Sequence, residues 1–500
     1  MKVLFVCSED ISLGVASLSA YLKKEKHRVF LAFDPRQFNK SYAENKSLAH
    51  FFSRESEILH KVKEISPDLI CFSVYTANYQ WALILAEKIK KITDAPIVFG
   101  GVHPTLAPEE VIKQKAVDIV CVGEGEKPIA ELLENLKKGK KEHHIANLWF
   151  KDKGKIIKNE VRPLLDLNKL PLPDRDLFLG QLPDSYFRSP AIMTSKGCPF
   201  SCTFCSNNSL RKIYQGKGIY VRKRTVGNVM VELLTLKEKY RPHYFIFMDD
   251  LFTVDPSWLE EFLPLYRKKI NLPFSCFSHF NFLDLKTARL LKKAGCNLVL
   301  FGLQSGSPLL RRKILKRPET NEDVLRVAGI CREVGLNFSI DHIFNLPSDS
   351  KETVFESLNL YNKVRPNIIN CYGLMFFPGT EIVDIAVGKG ILKKDSYKKI
   401  NEGKEAVYAS LVGKATADDY RRFALLTTLI PLLPQKVVAF VLNKEKRVNF
   451  FSDLPISLII PIKLILYLKV NLGFIFSSVI GNEFFYLKQF FKYKFKSINY

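Results

Sequence analysis

From residue 3 to residue 122, short and purely apolar runs alternate with longer stretches whose apolar positions recur every three or four residues. The runs fall at 3–7, 29–33, 69–74, 97–100 and 119–122, and the helical patterns at 15–26, 79–92, 108–115 and 127–138. Strands that are apolar at every position are buried on both faces, which requires a parallel sheet with helices on each side. Residues 1–140 therefore predict a doubly wound, Rossmann-like α/β domain with ligands at the carboxyl ends of its strands. Residues 141–187 break the alternation. The segment 145–157 reads as a hairpin around Asp152-Lys153-Gly154, and 164–176, with Pro171 and Pro173, as an extended linker. A second alternation fills 188–380, with strands at 191–195, 244–248, 274–277, 298–302, 337–341 and 368–373. Helical patterns at 226–240, 257–269, 285–293, 321–334 and 351–364 separate them. Six such units predict a partial (β/α)6 TIM-type barrel with its chemistry at the strand carboxyl ends. Residues 381–500 show no strand alternation and predict a mostly helical C-terminal region.

Composition adds little until charge is considered. Hydrophobic residues at 47% and charged residues at 25% are globular usage and exclude global disorder and a coiled-coil rod. Ten cysteines in 500 residues are too sparse for a disulfide scaffold. The formal charge, however, is +24, which points to an anionic partner or ligand. Residues 421–500 hold twelve Lys/Arg against three Asp/Glu and are rich in Phe, Ile and Leu. That combination fits contact with a membrane surface through residues 421–500; a basic helical cap fits it equally. The apolar stretches 423–442 and 454–480 are interrupted by Pro431, Pro434, Lys436, Pro461, Lys463 and Lys469, so no transmembrane helix is predicted. The apolar run after Met1-Lys2 is too short for a secretion signal. A cytoplasmic location is therefore expected, peripheral at the inner membrane face if the tail binds lipid, with cysteines as thiols or metal ligands.

The chemistry concentrates in Gly197-Cys198-Pro199-Phe200-Ser201-Cys202-Thr203-Phe204-Cys205, directly after a predicted strand. Three thiolates in one short loop can converge on a soft metal centre. They are one ligand short of a structural zinc site, which a distant His or Cys would have to complete. They suit a four-iron cluster with one iron left open. This CxxxCxxC loop after the first barrel strand resembles that of the radical S-adenosylmethionine (SAM) superfamily. The resemblance implies that Cys198, Cys202 and Cys205 hold a [4Fe–4S] cluster whose open iron chelates S-adenosylmethionine. It also implies that Phe204 packs near the adenine and that an external donor supplies the electron that yields a 5′-deoxyadenosyl radical. Later segments follow the same order along the chain. Asp249 and Asp250 end the second strand, where the family binds the methionine part of the cofactor. Gly302-Leu303-Gln304-Ser305-Gly306 ends the fourth, with Gln304 where Glu is usual. His279 replaces a common Arg, Asn345-Leu346-Pro347 replaces Gly-Leu-Pro, and Pro378-Gly379-Thr380 matches the closing segment. The SAM-binding set implied is Phe204, Asp249, Asp250, Gln304 and Ser305.

The first domain resembles the cobalamin (B12)-binding domains fused to many radical SAM enzymes. The residues that carry the likeness are Gly100-Gly101-Val102-His103-Pro104-Thr105 and Gly123-Glu124-Gly125. With Ser12, Leu13, Ser73 and Thr76 at other strand ends, they form the cobalamin-binding set implied. No DxHxxG is present, so histidine ligation of cobalt of that type is not expected, and His103 reads as a loop hydrogen-bonder. The remaining cysteines fall singly and read as core residues, which argues against methylthio-transferring relatives with a second cluster. The resemblance implies a radical SAM enzyme that transfers a methyl group to an unactivated carbon of a small or lipid-like substrate. Cyclisation or rearrangement, RNA modification and a non-catalytic iron–sulfur protein are the other readings. No appended RNA-binding motif is visible.

Overall fold

The computed structural model describes residues 1–9, 11–38, 46–404 and 420–498. Its first sheet comprises β1 (Lys2–Ser8), β2 (Arg28–Asp34), β3 (Leu69–Ser73), β4 (Ile97–Gly100) and β5 (Ile119–Cys121), all parallel. The hairpin β6 (Leu148–Asp152) and β7 (Lys155–Ile157) continues the sheet antiparallel beyond β5. The order is β2-β1-β3-β4-β5-β6-β7. Alternate residues of each strand face opposite layers. Val3, Phe5 and Cys7 pack on helices Leu13–Lys24 and Glu126–Lys137, whereas Leu4 and Val6 pack on Glu55–Ile65 and Tyr79–Ile89. The expected doubly wound arrangement is present. The helix Glu55–Ile65 was not foreseen; its Ile58, Val62 and Ile65 lie at the i, i+4, i+7 spacing of a buried stripe.

The second sheet is an open barrel wall. Its elements are β8 (Ala191–Ile192), β9 (Ser195–Lys196), β10 (Arg222–Lys223), β11 (Phe245–Phe247), β12 (Phe274–Ser278), β13 (Cys296–Gln304), β14 (Asn337–Phe344) and β15 (Ile368–Gly373). Six of these pair parallel in the order β15-β14-β13-β12-β11-β8, while β9 and β10 form a separate antiparallel pair. The expected strand at 191–195 is thus two pieces. The break follows from Asp249, which is fully buried and accepts from the Thr194 amide, the Thr194 hydroxyl and the Ser195 hydroxyl. A carboxylate that takes those donors draws the chain out of the ladder. The crossover helices start where their caps dictate. Thr320 and Ser350 each accept from the third residue of the helix they precede.

The C-terminal region is helical and completes both units. Helix Ala424–Leu429 covers the open edge strand β15. Helix Ile459–Lys469 packs Leu466 and, just past its end, Val470 against Tyr244, Leu298 and Ile368. Those three residues lie at the amino ends of β11, β13 and β15, so this helix closes the barrel floor. Helix Gly473–Ile498 then crosses to the first domain. There Tyr486 joins the core beside Phe33, and its carbonyl accepts from Arg54 Nη2 at 2.9 Å. Among the described residues, no single helix is long and apolar enough to cross a membrane; only the bent pair Glu445–Ser452 and Ile456–Lys469, kinked by 85°, reaches the length and composition together.

Candidate active site

The cysteine loop leaves β9 and ends at helix Ser206–Ile213, for which Cys205 is the cap. All three cysteines are free thiols; Cys202 is buried and the others are half-buried. Burial pushes Cys198 up to about 12 and Cys205 up to about 11, and each thiolate charge disfavours its neighbours. Cys202 is also raised by burial, partly offset by the Arg317 guanidinium. Thiols this hard to ionise hold their protons at neutral pH until a metal centre displaces them. Among the described residues, no three His, Cys, Asp or Glu side chains converge on a single metal ion. Three thiols in one loop are one ligand short of a structural zinc site, and they would fit a cluster whose irons take one thiolate each.

A buried polar chain, not foreseen from sequence, holds this loop. Arg317 donates through Nη1 to Cys202 Sγ at 3.5 Å, through Nε to Glu319 Oε1 at 2.6 Å, and through Nη2 to the Gly302 carbonyl. The second Glu319 oxygen lies 3.1 Å from His279 Nε2. The His279 ring stacks on Phe200, inside the cysteine loop, with centroids 4.1 Å apart. Burial opposes ionisation of Glu319, but His279 and Arg317 outweigh it and hold the carboxyl below the usual range. The loop is thus pinned from the ends of β12 and β13. The charged segment Lys316-Arg317-Pro318-Glu319 was the only hint, and nothing local shows that it turns inward.

Between the two units lies a cavity of about 440 Å³. Its first-domain wall includes Ser73, Gly100, Gly101, Thr105, Gly123, Glu124 and Gly125. Its barrel wall includes Lys196, Gly197, Asn207, Tyr214, Tyr220 and Asp250. Two glycines shape the wall. Gly101 has φ +109°, and a Cβ there would lie 2.4 Å from the Val74 carbonyl oxygen. Gly123 has φ +84°, and a Cβ there would lie 1.9 Å from the Tyr214 hydroxyl. Both need the left-handed region, and the room a side chain would take is already held by Val74 and by Tyr214, so glycine lets these loops pack closely. Strand ends and glycine backbone suit close approach by a cofactor, and a cavity of about 440 Å³ would admit part of a molecule as large as cobalamin.

The structure lines this cavity with eight of the predicted residues, seven from the first domain and Asp250 from the barrel. Asp250 bridges the cavity and the cysteines: it accepts from Asn207 Nδ2 at 2.8 Å, and its charge acts on Cys198 and Cys205. Tyr220 donates to Asn207 Oδ1 at 2.9 Å, which continues the chain into the cavity wall. Glu124 joins the two units. Arg222 holds both its oxygens, at 2.6 and 3.2 Å, Lys196 lies 3.6 Å away, and its amide donates to the Tyr214 hydroxyl at 2.7 Å. Thr105 accepts from the Gly123 amide at 2.9 Å and so fastens two cavity loops together.

Other predicted residues stand back from the cavity. Asp249 is turned into the barrel wall, as described. Gln304 sits at φ +69° where the β13–β14 register shifts, with its amide folded over Gly302. Ser305 is buried and accepts from the Ser307 amide. Phe204 packs on the cluster of Leu310, Ile314, Leu346 and Phe376. Ser12 caps helix Leu13–Lys24 and lies 3.5 Å from the Ser73 hydroxyl, while Leu13 lines a smaller adjoining pocket. His103 is fully buried, 3.2 Å from Thr76 Oγ1 and stacked on Tyr79, and burial lowers it to about 4. Thr76 and His103 thus pair with each other, as the loop reading of His103 expected.

Comparison with known proteins agrees with this geometry. Residues 7–133 match the family model of the B12 binding domain, and residues 192–361 match that of the Radical SAM superfamily. An uncharacterized methyltransferase of Pyrococcus horikoshii is 28% identical over 356 residues, 69% of this chain and 74% of that protein. The bacteriochlorophyllide d C-8(2)-methyltransferase of Chlorobaculum tepidum is 24% identical over 345 residues, 67% of this chain and 71% of that protein. Among solved structures, the radical S-adenosylmethionine methyltransferase TsrM from Kitasatospora setae shares the fold with a TM-score of 0.62 and 19% identity. That match covers 76% of this chain and 75% of TsrM. The cobalamin-dependent S-adenosylmethionine radical enzyme OxsB, solved with aqua-cobalamin, matches with a TM-score of 0.66 and 15% identity over 99% of this chain and 84% of that one.

Proposed function

The chain belongs to the radical SAM superfamily and carries a B12-binding domain ahead of its barrel; from that premise we propose a cobalamin-dependent methyltransferase that acts on an unactivated carbon of a small or lipid-like substrate. The observation that carries this reading is the shared cavity, which has the glycine-rich strand ends on one wall and the residues beside the cysteine loop on the other. Methyltransferase relatives, one of them named for a bacteriochlorophyllide, favour methyl transfer and, within the lipid-like class, a tetrapyrrole-like substrate. When bound, the cluster supplies the electron that cleaves S-adenosylmethionine and cobalamin carries the methyl group.

The chain's own residues do the positioning. Cys198, Cys202 and Cys205 hold the cluster. Arg317 keeps Cys202 in place and offsets the negative charge that ionised thiolates bring. Asp250 and Asn207 present carboxylate and amide groups beside the cysteine loop and would offer acceptors to the amino group of S-adenosylmethionine. Gly101, Gly123 and Thr105 shape the cobalamin wall. Leu164, Met193 and Leu210 keep that part of the cavity apolar and dry. An external donor delivers the electron, and the protein is read as cytoplasmic and peripheral at the inner membrane face.

The test is anaerobic reconstitution followed by dithionite and S-adenosylmethionine, comparing wild type with Cys202→Ala. Wild type is expected to retain cobalamin and release 5′-deoxyadenosine, and the variant to release none. A fully loaded cluster that never yields 5′-deoxyadenosine, or equal yield from both proteins, overturns the reading.

A further inference from the structure

Helix Ile459–Lys469, of sequence IIPIKLILYLK, is apolar on nearly every side. One stripe, with Ile459 and Leu466, is buried, and Leu466 lies against the barrel floor. Ile460, Ile465 and Leu468 point elsewhere and stand 39%, 47% and 57% exposed. A helix on the surface of a globular protein ordinarily turns charge outward there. The neighbouring elements repeat the pattern: Phe440, Phe450 and Leu458 are 58%, 61% and 41% exposed. Helices Glu445–Ser452 and Ile459–Lys469 both pack on Ala424–Leu429, and Gln435–Leu442 packs on Glu445–Ser452, so these side chains belong to one layer. Summed, these six residues expose on the order of 600 Å², more than scattered surface apolar residues ordinarily leave on so short a stretch of chain.

Exposed lysines accompany this layer: Lys436, Lys444, Lys446 and Lys469. Of the three carboxylates after residue 420, Glu445 is paired with Lys351 at 2.7 Å, Glu483 faces the first domain, where it accepts from Gln37, and Asp453 stands exposed at the end of helix Glu445–Ser452, one charge against the four lysines. The layer is therefore apolar in its middle elements and positive overall. Four of the six apolar side chains are aliphatic and offer bases nothing to stack on, and the Phe440 ring is covered by Arg447, whose guanidinium lies 3.4 Å from its centroid, which disfavours a single-stranded nucleic acid. We propose that this layer docks, without crossing, on a bilayer rich in anionic phospholipid. The apolar side chains enter the headgroup–acyl boundary and the lysines meet lipid phosphates. The inference deepens the peripheral placement given above and rests on it. It also orients the enzyme: the docked helix closes the amino end of the barrel, so the cofactor cavity at the carboxyl ends opens away from the bilayer.

Flotation of the full chain decides it, with vesicles of phosphatidylglycerol and phosphatidylcholine in equal parts against pure phosphatidylcholine. Wild type and Ile84→Glu, an exposed site on the first domain, are expected to float with the anionic vesicles and to be released by salt. The double variant Ile465→Glu, Leu468→Glu should lose this binding by at least roughly tenfold, with thermal stability and cobalamin retention unchanged. Several results overturn the proposal: no flotation of wild type, equal flotation of the double variant, a wild-type dimer that the double variant breaks, or RNA retention by this face without flotation. Flotation needs neither cluster nor S-adenosylmethionine, so its failure leaves the methyl-transfer reading untouched, and the converse holds.

Discussion

Replacing Arg317 with Met keeps an unbranched apolar stem and removes the charged guanidinium. In the structure Arg317 Nε lies 2.6 Å from Glu319 Oε1, and the two side chains are 8% and 0% exposed. With charge centres about 4 Å apart and an effective dielectric of about 20, the attraction is about 4 kcal/mol. The variant forfeits that and strands a fully buried carboxylate on His279 alone, so Arg317→Met is expected to cost about 3–5 kcal/mol. Adding Glu319→Gln removes the stranded charge. The double variant should therefore be markedly less destabilised than the sum of the two single changes, with a coupling of about 2–3 kcal/mol. The assay is urea unfolding of the metal-free protein, followed by Trp258 in the barrel after Trp81 and Trp149 are changed to Phe. An Arg317→Met variant within about 0.5 kcal/mol of its parent, or strictly additive single effects, would refute the buried pair.

Three further outcomes are expected. Gly101→Ala should cost about 1–3 kcal/mol, because Ala at φ +109° is strained and its Cβ meets the Val74 carbonyl; a melting temperature and cobalamin affinity equal to wild type would contradict this. His103 is lowered by burial from 6.5 to about 4, so the unfolded chain binds more protons between those values. Its contribution is therefore fully present above about pH 6.5 and is lost as pH falls toward 4, by about 3 kcal/mol in all. Denaturant titrations should show that slope shrink in His103→Gln. Arg222→Met leaves Glu124 with Lys196 and should loosen the junction by about 1–3 kcal/mol. Faster proteolysis within residues 158–190, which cross between the units, measures it, and an unchanged cleavage rate would show that the pair does not join them.

Local patterning was enough to reveal both α/β units. Fully apolar strands and caps such as Thr320 and Ser350 act within a few residues, and the strand ends and helix starts they imply carry the cysteine loop and the glycine turns. What patterning could not show is closure over distance. Cys202, His279, Gly302, Arg317 and Glu319 come from four separated segments, and only the barrel's curvature brings them together. Asp249 and Asp250 look equivalent in sequence. The turn that follows β11 sends Asp249 into the wall and Asp250 to the cavity, a split that no local pattern announces. Tyr214 has no motif around it, and its approach to Gly123 exists only once the two units meet. The helix Glu55–Ile65 was hidden by a mean composition that is nearly as polar as apolar.

The floor helix and the strap that follows it also set an order of assembly. Both come later in the chain than the two α/β units they fasten, so a ribosome finishes β15 well before it delivers them. The last barrel strand ends at Gly373 and the strap at Ile498, about 125 residues on, which at bacterial elongation rates is a delay of roughly 6–25 s. For that interval the nascent barrel has an open base and the first domain is untethered. A cofactor that arrived within that interval would meet a looser protein than the finished one. Truncating the tail would unfasten both units at once, which makes point changes on its outer side, rather than deletions, the clean way to ask what that side binds.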